Sequence, residues 1–247
     1  MTTATRERGG RRVRAGCAAA VGAAAVVAGA GPAQADVTYD PTGGLDDWNG
    51  YRVYLSPATH PTSGNRGECD LEENLNGFLA ANNATNGNFN DQQSNLRDRG
   101  YKVRIGNGTY QTAVANSNSW GANLHVPLHS NARANVPCAQ ASSAHGTWGI
   151  HQGNLFDELF VEELVSWVGE HDAGVGQMSP GTNDRTCLTS DCTSYNSLHE
   201  IAATEAVSGY LEIEFHTWNT GAAYLANAYR WSWRIGAAVD SYLDYPR

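Results

Sequence analysis

Positive charge is scarce in this chain: 16 Lys and Arg stand against 25 Asp and Glu in 247 residues, a formal net charge of −9. Nucleic-acid binding needs clustered Lys and Arg, so that class of function is excluded. There is no internal repeat and no Pro- or Ser-rich linker long enough to separate two modules. One domain is therefore expected. CxxC pairs are missing, which leaves a cysteine-bound metal cluster without its usual spacing, and HExxH is missing too. The apolar run Ala15 to Gly31 is short and built from Ala, Val and Gly, a poor permanent membrane span.

That run has another reading. Arg6, Arg8, Arg11, Arg12 and Arg14 precede it, and Ala33-Gln34-Ala35 follows with small residues where a signal peptidase cuts. Basic, apolar and small-residue regions in this order form a secretory signal peptide, residues 1–35. Cys17 lies at the start of the apolar run and not after it, the wrong order for a lipid anchor, and leaves with the signal. The mature chain, residues 36–247, is expected to be secreted to the cell wall or beyond, with no membrane attachment, as a monomer. Losing five Arg and one Glu takes its charge from −9 to about −13. Such a surface repels anionic polymers at long range, so a substrate of that kind must be held by local contacts. Four cysteines remain: Cys69, Cys138, Cys187 and Cys192. In an exported chain an even count reads as two disulfides. Proximity in a polar loop favours Cys187 with Cys192 and leaves Cys69 with Cys138, although three pairings are possible. A zinc-bound cysteine cluster and a catalytic thiol are the alternatives.

Strand and helix patterns alternate along the mature chain. Tyr51–Leu55, Tyr101–Ile105, Leu124–Leu128 and Tyr210–Phe215 read as strands. Glu72–Ala81, Ala113–Trp120, Leu155–Val168 and Leu198–Ala206 read as helices. The Asn/Gly-rich stretch Asn82–Asn90 is expected to interrupt, before a short helical piece ending at Gly100. From Gly221 a closing helix carries Leu225, Tyr229, Trp233, Val239 and Leu243 near one face. The expected fold is α/β, a single domain with a mostly parallel mixed sheet flanked by helices on both faces.

In such sheets, sites gather at the carboxyl ends of strands. His60 lies just past the first strand, His129 ends the third, Glu212 lies near the end of the fourth, and Glu72 opens the helix after the His60 loop. A parallel sheet brings these distant residues to one edge. Two His, a carboxylate and an open fourth position hold catalytic zinc in many hydrolases, and a second carboxylate can take a proton from the bound water.

Four segments carry a more specific likeness: V-Y-L-S-P-A-T-H (Val53 to His60), E-E-N-L-N (Glu72 to Asn76), L-H-S-N-A (Leu128 to Ala132) and L-E-I-E-F-H (Leu211 to His216). In this order they resemble the zinc N-acetylmuramoyl-L-alanine amidases of the amidase-3 type, over nearly the whole mature chain. The resemblance implies Zn²⁺ held by His60, Glu72 and His129, with Glu212 as catalytic base. The E-x-x-x-N spacing selects Glu72 over Glu73. It further implies a peptidoglycan substrate, cut at the amide between N-acetylmuramic acid and the L-alanine of the stem peptide. The chain departs from the family pattern at three places: Glu214 replaces a small residue, Pro127 interrupts a strand, and Ala58-Thr59-His60 replaces Gly-His-Gly.

Secondary candidates surround this set. Glu214 shares a strand face with Glu212 and is placed to raise its pKa by charge repulsion. His125 shares the His129 face, where a packed strand His is the default. His216 follows the catalytic strand, and Asn131 belongs to the H-x-N-A segment; both are candidates for the pocket. Trp120, Trp148 and Trp218 are candidates to stack on sugar or peptide, with core packing the ordinary alternative. Three functional alternatives stand beside the amidase: a zinc carboxypeptidase or endopeptidase on the stem peptide, a cysteine hydrolase, and a non-catalytic wall-binding domain.

Overall fold

The strands pair as their parallel, doubly covered pattern requires. The computed structural model describes residues 35–57, 75–90, 93–132, 138–139, 145–169 and 198–243, all within one compact unit, Ala33–Arg247. His60, Glu72, Glu73, Cys69, Cys187, Cys192, His171 and the signal segment lie outside these residues. Seven strands are described: β1 (Val37–Tyr39), β2 (Arg52–Ser56), β3 (Lys102–Ile105), β4 (Leu124–Asn131), β5 (Trp148–Ile150), β6 (Val207–Ser208) and β7 (Tyr210–Phe215). They form one sheet in the order β1-β3-β2-β4-β7-β5, with β6 also pairing β4. The β2–β3, β2–β4, β4–β6 and β4–β7 pairs are parallel, and β1 and β5 close the edges antiparallel. The mostly parallel mixed sheet expected from the alternating pattern is the one observed.

Six α-helices among the described residues cover it: α1 (Leu75–Asn86), α2 (Tyr110–Trp120), α3 (Leu155–Gly169), α4 (His199–Ala202), α5 (Asn219–Ala226) and α6 (Trp233–Leu243). Alternation divides the sheet. Val53, Leu55, Val126, Leu128, Leu211 and Ile213 join residues of α3 and α6 in the main core. On the other face Tyr54 packs with Ala113 of α2, and Tyr210 with Ile201 of α4. Local signals set the helix ends. Thr109 caps α2 by accepting from the Thr112 N–H, and Gly121 ends it at φ 67°, the left-handed conformation glycine adopts without strain. Asn154 Oδ1 accepts from the N–H groups of Phe156 and Asp157 at the start of α3. Asp157 in turn accepts from Ser208 N at 2.9 Å, tying α3 to β6.

Three local expectations are corrected. The Asn-rich stretch does not interrupt α1, which continues through Asn86; Ala84 and Thr85 are buried there, and Thr85 Oγ1 donates to Ala81 O. Residues 96–100 form hydrogen-bonded turns instead of a helix. The closing helix is broken into α5, a 3₁₀ turn (Ala228–Arg230) and α6, and Tyr229 is exposed. The break is locked where Trp231, fully buried, donates its indole N–H back to Tyr224 O. Pro127 sits in a central strand, not at an edge. On one side β4 pairs β6 at Leu124 and His125, then β7 from Leu128 onward. Pro127 falls at that change of partner, where a missing N–H costs least.

Candidate active site

His129, near the carboxyl end of β4, faces Glu212, which lies within β7 and not near its end as the sequence suggests. Their Cα atoms are register partners across the parallel pair, and the register shifts between His129 and Asn131. His129 is buried, while Glu212 is half-buried. The imidazole lies flat on Tyr210, with ring centroids 4.4 Å apart and planes within 3°. Its Nε2 meets Glu200 Oε2 at 2.9 Å. An ionised carboxylate only accepts, so the ring proton is assigned to Nε2 and the lone pair to Nδ1. With Nε2 engaged by Glu200, Nδ1 is the ring nitrogen that His129 would offer to a cation.

Glu200 is the residue that sequence reasoning missed. It sits on α4, a single helical turn with no periodicity to mark it, and its side chain is 2% exposed. Ser56 Oγ at the end of β2 donates to its other oxygen at 3.4 Å. One signal could have found it: a Glu among Leu198, Ile201, Ala202 and Ala203, where an unpaired carboxylate is costly to bury.

His125 lies four residues before His129 on the same strand face and is fully buried. It stacks on Tyr54 at 5.2 Å and 6°, and neither ring nitrogen has a hydrogen-bond partner. Burial pushes its pKa down to about 4, keeping it neutral. His216 Nδ1 meets Ser130 Oγ at 2.8 Å, and burial lowers its pKa as well. Asn131 Oδ1 accepts from Ala132 N, and its carbonyl accepts from His216 N. These contacts fix the strand ends around His129.

Glu214 has a structural partner set of its own. It is fully buried, and one oxygen accepts from the backbone N–H groups of Gly146 and Phe215, at 2.8 and 2.6 Å. Desolvation outweighs these donors and raises its pKa to about 7. The folded value stands above that of the unfolded chain, 4.5. The fold therefore favours the protonated form, and the resulting stabilisation is lost as pH rises from 4.5 to about 7. Glu214→Gln should remove this slope: urea unfolding midpoints of the variant should gain on the parent across that window and run parallel above it. Parallel curves throughout would contradict the assignment. His125 gives the opposite slope, since stability is lost as pH falls from 6.5 towards 4. The two contributions are separable only by variant-minus-parent differences.

The tryptophans singled out in sequence have packing partners. Trp120 lies 6.5 Å from Tyr54 under the Arg104 guanidinium, Trp148 meets Phe215 edge-on, and Trp218 meets His145. Among the described residues, no group of three or more His, Cys, Asp and Glu is placed to hold a metal ion. No described helix is long and apolar enough to cross a membrane.

No family model and no curated protein matches the chain. Solved structures do. An N-acetylmuramoyl-L-alanine amidase from Clostridium difficile 630 superposes with a TM-score of 0.53 at 15% identity, over 80% of this chain and 98% of that one. The catalytic domain of CwlV, an N-acetylmuramoyl-L-alanine amidase from Bacillus (Paenibacillus) polymyxa var. colistinus, gives 0.52 at 14% identity, over 79% and 99%. The N-acetylmuramyl-L-alanine amidase Ami1 from Mycobacterium smegmatis gives 0.51 at 12%, over 80% and 98%. By its fold, this chain is similar to the catalytic domains of N-acetylmuramoyl-L-alanine amidases.

Proposed function

We propose that this chain is a secreted peptidoglycan hydrolase that cleaves the amide between N-acetylmuramic acid and the L-alanine of the stem peptide. The observation that carries the reading is the buried His129–Glu200 pair with Glu212 in register on the adjacent strand of an amidase-like fold. The first 35 residues serve as its signal peptide, and the remainder is the catalytic domain, acting as a monomer outside the membrane.

The donor chemistry suits Zn²⁺: a buried imidazole with its lone pair assigned to Nδ1, oriented by a carboxylate at Nε2. His129 would hold the ion with His60 and Glu72. When bound, zinc supplies Lewis-acid polarisation of the scissile carbonyl and a water whose pKa falls to about 7. Glu212 accepts the water proton at its carboxylate and delivers it to the leaving amide nitrogen, so that the L-alanine amine departs neutral. Glu200, held by Ser56, fixes the tautomer of His129, and Tyr210 fixes its ring plane. Cys138 is disulfide-bonded; the pairing we propose is Cys69 with Cys138 and Cys187 with Cys192. It weighs against a cysteine nucleophile.

A chelator should abolish turnover on purified peptidoglycan, and added Zn²⁺ should restore it, while a thiol alkylator leaves the rate unchanged. Full activity in the chelator would overturn the metal reading, and inactivation by the alkylator would favour a cysteine hydrolase.

A further inference from the structure

A cavity of about 460 Å³ lies away from His129 in the fold. Trp167 near the end of α3, Trp233, Asp240 and Ser241 of α6, and Gln93 and Arg99 of the segment leading into β3 line it. Arg99 precedes β3 by three residues, so the cavity opens at the amino ends of the parallel strands. Its helices cover the sheet face opposite to His125 and His129.

The walls have an unusual balance. Trp167 and Trp233 meet edge to face, 6.4 Å apart at 72°, and make a two-walled apolar corner. The corner is built in advance of any ligand. Trp233 donates its indole N–H to Arg230 O and lies under the Arg234 guanidinium at 5.2 Å. Arg234 Nη1 also donates to Trp167 O, which ties α6 to α3. The charged groups cancel: Arg99 is paired with Asp240, and Tyr101 donates its hydroxyl to the same carboxylate. Gln93 and Ser241 add a neutral amide and a neutral hydroxyl.

Each feature narrows the ligand. Among the lining residues, a free cation or anion finds no uncompensated opposite charge. A wholly apolar molecule would bury the Arg99–Asp240 pair and the Gln93 amide without hydrogen bonds. What fits is a neutral molecule with an apolar face for indole and a rim of hydroxyl and amide groups. We infer that this cavity is a carbohydrate-binding subsite that takes an N-acetylhexosamine unit of a glycan strand. The choice of glycan rests on the wall-hydrolase reading; the sugar chemistry rests on the cavity alone. The inference also answers the charge problem. An enzyme of net charge about −13 without its first 35 residues is repelled by an anionic wall polymer. Stacking on indole is short-ranged and indifferent to salt, and it would hold the enzyme on the glycan while the opposite face reaches stem peptides.

Calorimetric titration of the full mature chain with β-1,4-linked N-acetylglucosamine tetramer tests this. Binding is expected to persist at high salt, and Trp233→Ala or Trp167→Ala should weaken it about tenfold. Ser241→Arg crowds the cavity without removing a core side chain and should weaken binding to a similar degree, with an unchanged unfolding midpoint. All three should keep parental turnover on a short soluble muropeptide but turn over intact sacculi more slowly, by up to about tenfold. No tetramer binding by the parent, or parental affinity in Ser241→Arg, would overturn the subsite. Tetramer binding by a protein that cleaves no wall amide would support the subsite and count against the hydrolase reading.

Discussion

Glu212→Gln should lower turnover on purified peptidoglycan by about 10²–10⁴-fold, the usual contribution of a positioned general base. The amide keeps the shape of the side chain but cannot accept a proton at neutral pH. Glu212 stands in register with His129 on the adjacent strand and is half-buried, so the substitution removes chemistry and little packing. Sedimentation with intact sacculi and the unfolding midpoint should both stay at parental values. Retained turnover would remove Glu212 from the mechanism, and a lost fold would be read in the midpoint.

Glu200 carries the second large effect, because it acts through another residue. Glu200→Ala strands the Nε2–H of His129 in a buried setting and frees the ring to change tautomer. Loss of such an orienting carboxylate costs about 10–100-fold in metal affinity or activity. The unmet donor also costs about 1–3 kcal/mol of stability. Glu200→Gln retains an acceptor oxygen without charge and should recover part of the affinity. The readout that separates this role from a merely structural one is the zinc dissociation constant, measured by competition with a chromogenic chelator. Zinc affinity equal to the parent in Glu200→Ala would show that the pair serves packing alone. A parent chain that takes up no zinc would instead remove the metal reading itself.

Much of this was legible in the sequence, for physical reasons that differ by element. Strands buried on both faces announce themselves as apolar, β-branched runs, and the bounds of β7 match expectation residue for residue. Sites in such sheets gather towards the carboxyl ends of strands, which brought His129 and Glu212 forward. The edge strands β1 and β5 have three residues each, too few to show a period. The break in the closing helix depends on where the Trp231 indole lands, a tertiary contact that no local pattern encodes. Glu200 was hidden because α4 is four residues long and its carboxylate meets its partner 71 positions away. Glu214 reads differently once its partners are known. Two carboxylates on one strand face suggest mutual repulsion, but Glu214 is occupied with the N–H groups of Gly146 and Phe215. It clamps the segment before β5 to β7. Trp167 and Trp233 were passed over because their helical spacing fits core packing, and only their meeting across α3 and α6 opens a cavity.

Identification of the bond cut in a defined muropeptide carrying both sugar and stem is the most direct measurement. Digestion should release the stem peptide with a free L-alanine amino terminus and leave the lactyl carboxyl of N-acetylmuramic acid intact, with no new reducing ends. Both products should vanish on chelation and return with Zn²⁺. Release of D-alanine, cleavage within the stem, or new reducing sugar ends would contradict amidase chemistry at this site.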